Sequence, residues 1–128
     1  MKKKIIGYWI STGLFCVAMG FGGLFDILLS DEVRTIMNHL GYPDYFTRLL
    51  GVWKILGIAA LLVPGMPVFK EWAYAGFTFE LTGAVVSHLA TGDVLQEVIA
   101  PVIFLMLAVA SYYLRPTDRK VPGRYSVA

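Results

Sequence analysis

The chain has 128 residues, 57% of them hydrophobic, with a formal net charge of +2 and a mean hydropathy of +0.65. This composition argues against a soluble domain, which would show clearer polar stripes, and the small charge argues against a nucleic-acid partner. The one cysteine, Cys16, excludes an internal disulfide and the class of thiol oxidoreductases that needs paired cysteines.

Four long apolar segments predict four transmembrane helices. They extend over about 5–29, 46–63, 72–89 and 98–114. Each is near the roughly 20 residues that a helix needs to cross about 30 Å of hydrocarbon. The first segment is too long for the hydrophobic region of a signal peptide, and we interpret it as a retained span. The predicted fold class is all-α, a polytopic membrane protein whose single domain is an antiparallel bundle of four transmembrane helices.

The connection between the first two segments predicts a short helix. Ser30 can cap its start, the apolar residues up to Leu40 follow helical spacing, and Gly41 can end it. We expect this helix at the outer mouth of the bundle or in the membrane interface. At the other end of the chain, the tail over 117–128 is predicted to be mobile.

The basic residues predict an orientation. Eight of the 11 fall on the side that carries the two termini, and two, Arg34 and Arg48, fall on the opposite side. Loops rich in Lys and Arg stay on the cytoplasmic side. The sequence therefore predicts a multi-pass protein of the plasma or inner membrane with both termini in the cytoplasm.

Two charged residues lie inside the predicted spans, Lys54 in the second and Glu80 in the third. A lone charge near the bilayer centre costs about 3 kcal/mol on insertion scales. At 1.5 Å per residue, the two residues lie at nearly the same depth on neighbouring helices. We therefore predict a buried ion pair. It could fix the helix register, bind a ligand or handle protons, and charges that reach separately toward lipid headgroups are the alternative.

A second polar group is expected nearer the outer side, where Asp26, Arg48 and His88 could line a pocket above the ion pair. His88 could exchange a proton near neutral pH. The alternatives are a histidine bonded to a neighbouring helix and an Asp26 that faces water. The only other histidine, His39, is not spaced from His88 as metal ligands on a helix are, so no metal site is predicted. No catalytic set of residues can be named.

The stretch from Lys54 to Asp93 carries a family pattern. Its features are Lys54 before small and aliphatic residues, the turn with Pro64 and Pro67, the run KEWAYAGF from Lys70 to Phe77, Glu80-Leu81-Thr82-Gly83-Ala84, Ser87-His88 and Gly92-Asp93, with Tyr42-Pro43 ahead of the second span. This pattern resembles the DoxX-like family of small four-helix membrane proteins over about residues 42–114. Glu80 stands where many members have aspartate.

The resemblance implies a four-helix membrane protein without implying one activity. The family takes its name from a subunit linked to thiosulfate:quinone oxidoreduction, some relatives are associated with membrane redox complexes, and others resemble assembly factors. We therefore expect an accessory or binding component, with quinone as the candidate cofactor and no other cofactor evident. An assembly factor and a small-solute or proton transporter are the alternatives. The expected partners are the lipid bilayer and either a membrane redox protein or a second copy of the chain.

Overall fold

The computed structural model of the protein describes residues 2–121, and every regular element in that range is helical. Five α-helices follow one another, and a short 3-10 helix comes after them. Their bounds are α1 Lys2–Leu28, α2 Asp31–Leu40, α3 Asp44–Leu62, α4 Pro67–Ala90, α5 Leu95–Leu114 and the 3-10 helix Thr117–Arg119. The four long helices cover the four apolar segments that the sequence predicts.

Three of these helices, α1, α3 and α5, are long and apolar enough to cross a membrane. The helix α4 is not one of the three, although its 24 residues give it sufficient length. Charged and polar side chains, among them Lys70, Glu71, Glu80 and His88, make α4 less apolar than the others. The predicted third span is therefore a helix of mixed polarity.

The short helix α2 confirms the prediction from its capping residues. The Ser30 hydroxyl accepts a hydrogen bond from the backbone N–H of Val33 at 3.3 Å. Gly41 follows the last turn with φ of 90°, a left-handed conformation that glycine adopts without steric cost. None of the residues of α2 is buried, so packing contributes little to holding this helix in place.

Each long helix packs against two of the others. The helix α1 contacts α3 and α5, and α4 contacts the same two helices, with the α3–α4 contact the least extensive of the four. Between them lies a core of mostly apolar side chains, namely Phe15, Cys16, Met19, Leu61, Tyr74, Phe77, Leu81 and Ala108. A buried polar chain also links three helices, because the Ser111 hydroxyl lies 2.5 Å from that of Thr12 and 2.7 Å from that of Tyr74.

The closest approach of α1 to α3 occurs at Gly23 and Gly51. A Cβ atom added to Gly51 would lie 2.6 Å from the carbonyl oxygen of Gly23, a distance that real Cβ atoms essentially never show. Only glycine therefore allows the two backbones to come this close. A Cβ atom added to Gly23 would meet the Cβ of Lys54 at 3.0 Å, so the same approach brings the Lys54 side chain against α1.

A buried cation holds the turn between α3 and α4. Lys70 is 2% exposed, and its ammonium donates to the carbonyl oxygens of Ala60 at 2.9 Å, of Gly65 at 2.5 Å and of Val63. The Ala60 carbonyl needs this donor because Pro64, four residues further on, has no N–H. The positive charge also interacts favourably with the carboxyl end of α3. Neither the count of basic residues nor the family pattern predicts these contacts of Lys70.

The 3-10 helix after α5 lies against the same end of the bundle. Arg119 donates to the carbonyl oxygen of Leu61 at 2.8 Å, and its guanidinium lies 4.8 Å from the ring centroid of Trp9. The first residues of the tail that was predicted to be mobile are thus placed by contacts with α1 and α3. The remainder of that prediction, over 122–128, lies outside the described residues.

Candidate functional site beneath the second helix

The charged residues inside the bundle form a cluster of three. The Lys54 ammonium donates to Asp26 Oδ2 at 2.7 Å and lies 3.1 Å from Glu80 Oε1. The predicted partners Lys54 and Glu80 are therefore brought together, with Asp26 as an additional partner. The three side chains are 11–20% exposed, so solvent screens their charges weakly.

The cluster contains more negative than positive charge. One ammonium lies between two carboxylates, which leaves one negative charge in excess when both carboxylates are ionised. Buried charges are stabilised by close partners of opposite sign, and removing one partner is strongly destabilising. Because two carboxylates share one ammonium, one of them can accept a proton or a hydrogen bond from a ligand.

A cavity of about 300 Å³ lies between this cluster and α2, and we name it the α2 cavity. Asp26, Lys54, Glu80 and His88 supply its polar lining, and its apolar lining includes Ile36, Met37 and Leu40 of α2. The volume is at the lower end of the range that small-molecule sites occupy. The α2 cavity thus corresponds to the predicted pocket above the ion pair. It differs from the prediction in that Asp26 belongs to the charged cluster itself.

Arg48 does not line the α2 cavity, which corrects its predicted place in the pocket. It precedes Lys54 by six residues on α3, and six steps of about 100° place it roughly 120° away around the helix. Its side chain is exposed. Depth along the chain groups Arg48 with Asp26 and His88, but depth alone does not show whether residues face the same space.

The helix α2 is held over the cavity by hydrogen bonds to the loop after α4. Asp93 accepts from His39 of α2 through Oδ1 and from His88 of α4 through Oδ2, each at 2.6 Å. The hydroxyl of Tyr42 lies 2.6 Å from that of Ser87. In the sequence, Asp93 appears only within the Gly92-Asp93 motif, and its contacts with His39 and His88 were not predicted.

The hydrogen bonds to Asp93 also favour its ionised form. Donation by His88, and then by His39, lowers the pKa of the Asp93 carboxyl below its ordinary value. Each imidazole faces a different oxygen of the carboxylate, so the three groups form a hydrogen-bonded chain. Within residues 2–121, no group of three or more His, Cys, Asp or Glu side chains has the arrangement that could hold a metal ion.

Comparison with known protein families matches residues 10–111 to the DoxX-like family. The match includes the three residues of the charged cluster, the residues of the α2 cavity and Asp93. No curated protein matches the chain, and no solved structure does.

We expect Lys54→Met to be the most damaging single change in the charged cluster. It leaves Asp26 and Glu80 side by side without a cation and should lower the free energy of unfolding by about 3–5 kcal/mol. Glu80→Gln should cost less because the contact between Lys54 and Asp26 survives. The triple change Lys54→Met, Asp26→Asn and Glu80→Gln should recover at least half of the Lys54→Met loss. Unfolding in mixed detergent micelles measures all four proteins, and a triple variant that is no more stable than Lys54→Met would contradict the shared cluster.

Asp93→Asn should release α2 from the bundle, because the neutral amide cannot replace a carboxylate that accepts from two histidines. Since the pKa of Asp93 is lowered in the folded protein, its contribution is complete above the ordinary value of about 4 and is lost as the pH falls through the lowered value. A spin label on Asn38→Cys should thus become mobile in acid in the otherwise unchanged protein, and at every pH in the Asp93→Asn variant.

The matched control is Asp44→Asn. Asp44 also contacts a cation of α2, Arg34, at 3.5 Å, but both side chains are about half exposed, so the pair contributes little. Equal label mobility in the Asp44→Asn and Asp93→Asn proteins would show that Asp93 has no special part in holding α2.

Proposed function

Because the chain belongs to the DoxX-like family of membrane proteins, we propose that it is an accessory component that binds the ring of a quinone in the α2 cavity. The observation that carries this proposal is the cluster of Asp26, Lys54 and Glu80 in the wall of a cavity of about 300 Å³. His88 lines the same cavity. Ligand sites in proteins combine a mostly apolar lining with a few convergent polar groups of this kind.

The polar groups of the cavity suit a ring that carries carbonyl oxygens. The Lys54 ammonium can donate to one such oxygen while it keeps its contact with Asp26. Glu80 and His88 can hold or transfer a proton near the ring. A bound quinone supplies two-electron chemistry, and the electrons come from a redox-active partner protein. The role of this chain is then to bind and orient the ring and to exchange protons with it.

The proposal includes a topology of four antiparallel membrane spans in the plasma or inner membrane. One support is that α4 packs between α3 and α5. The polar residues of α4 do not prevent this packing, because Glu80 is paired with Lys54. Further support comes from Lys70, Arg115 and Arg119, whose hydrogen bonds all lie at the end of the bundle where the described chain begins and ends. That basic end is cytoplasmic in the proposal, and the α2 cavity opens to the outer side.

Cysteine labelling in intact cells tests the orientation. Asn38→Cys, on the exposed face of α2, should react with a membrane-impermeant maleimide, and Lys2→Cys should react only after the cells are permeabilised. The unchanged protein is the control because its one cysteine, Cys16, is 8% exposed. Labelling of Lys2→Cys before permeabilisation would reverse the proposed orientation.

Binding of a quinone ring that lacks a hydrocarbon chain tests the proposed function. In lipid nanodiscs, ubiquinone-0 should bind saturably to the protein, as measured by isothermal titration calorimetry. Gly83→Leu should raise the dissociation constant by at least about tenfold, because Gly83 lines the α2 cavity and a Cβ atom there meets nothing within 4 Å. The added side chain therefore fills the cavity without a clash close to the backbone.

The matched control is Gly13→Leu. A Cβ atom at Gly13 also meets nothing within 4 Å, but this residue of α1 does not line the α2 cavity. Its affinity for ubiquinone-0 should equal that of the unchanged protein. Absence of saturable binding, or equal binding by the two leucine variants, would refute the proposed function. A stable complex with another membrane protein but no quinone binding would favour the assembly factor.

A further inference from the structure

A second cavity, of about 670 Å³, lies between α3 and α4, and we name it the α3–α4 groove. Its aromatic lining includes Trp53, Phe69 and Trp72, and its small residues include Gly57, Ala73 and Gly76. The three aromatic side chains are 47–65% exposed on the apolar surface of the bundle. The groove accompanies the contact of α3 with α4, which is the least extensive of the four contacts described above between long helices.

The groove adjoins the α2 cavity. Leu50, Phe79 and Glu80 line both spaces, so one end of the apolar groove lies at the charged cluster. Phe79 is 75% exposed and stands at the junction of the two spaces. A molecule that occupies both would be polar at the end near Lys54 and apolar along α3 and α4.

The lining of the groove favours a single hydrocarbon chain with a polar end over an apolar helix of a partner protein. Its lining along α3 extends from Leu50 to Ala60, ten residues or about 15 Å, and is apolar until the groove reaches Glu80. An apolar partner helix in the groove would place apolar side chains against the Glu80 carboxylate.

We infer that the α3–α4 groove holds the hydrocarbon chain of the quinone and that the ring enters the α2 cavity sideways from the bilayer, past Phe79. This inference rests on the proposed function of the α2 cavity and adds the class of ligand, a quinone with an apolar chain. The chain lies along Trp53 and Trp72, and the ring contacts Lys54 and Glu80. Aromatic walls and small residues together give the chain close contact on several sides.

A comparison of quinones with and without a chain tests the inference. The probes are ubiquinone-0 and decylubiquinone, titrated into protein in nanodiscs, with the concentration of decylubiquinone expressed per lipid. Gly76→Leu should weaken decylubiquinone binding by about tenfold and leave ubiquinone-0 binding unchanged. Gly76 lines the groove but not the α2 cavity, and a Cβ atom there meets nothing within 4 Å.

Three further variants complete the test. Gly83→Leu should weaken both probes because it fills the α2 cavity, and Gly13→Leu should weaken neither. Trp53→Ala removes one wall of the groove without adding volume, so it should weaken decylubiquinone binding alone even if Gly76→Leu does not fold. Thermal unfolding of each variant confirms that it is folded.

The outcomes separate this inference from the proposed function. If neither quinone binds the unchanged protein, the proposed function fails and the inference fails with it. If ubiquinone-0 binds and Gly83→Leu abolishes that binding, while Gly76→Leu and Trp53→Ala leave decylubiquinone binding unchanged, only the inference is overturned. If the folded Gly76→Leu protein binds both quinones more weakly by the same factor, the inference is also overturned, because the groove would then not be specific for the hydrocarbon chain.

Discussion

The contact of one ammonium with two carboxylates in the interior is the interaction on which the arrangement of the helices depends. Lys54 lies on α3, Asp26 on α1 and Glu80 on α4, so this single cation joins three of the four long helices. The interaction requires the close approach of α1 and α3 at Gly23 and Gly51. It also makes α4 compatible with an apolar environment, because its most deeply placed charge has a partner.

Much of the architecture could be predicted from the sequence because apolar runs and capping residues are local signals. The four long helices and α2, with its cap at Ser30 and its end at Gly41, follow from such signals. The contact of Lys54 with Glu80 followed from depth on neighbouring helices. Asp26 was expected above this pair because its depth was counted at the backbone. The long Lys54 side chain reaches Asp26 across the α1–α3 contact.

Three residues have positions that the sequence did not predict, because these positions depend on the direction of a side chain or on a tertiary contact. Arg48 has a suitable position along α3 but does not line the α2 cavity. Asp93 binds His39, which is 54 residues away in the chain, and so its role could not follow from its own loop. The count of basic residues does not predict that Lys70 is buried. Its ammonium donates to carbonyl oxygens that the prolines of the α3–α4 turn leave without a backbone N–H donor.

The absence of buried residues in α2 has a consequence for how this protein can diverge in evolution. The bundle gains little packing energy from α2, so substitutions in that helix carry a small cost for folding. Three of its side chains, Ile36, Met37 and Leu40, nevertheless face the α2 cavity. Sequence changes confined to these positions therefore change the shape of the α2 cavity while the charged cluster and the four long helices stay the same.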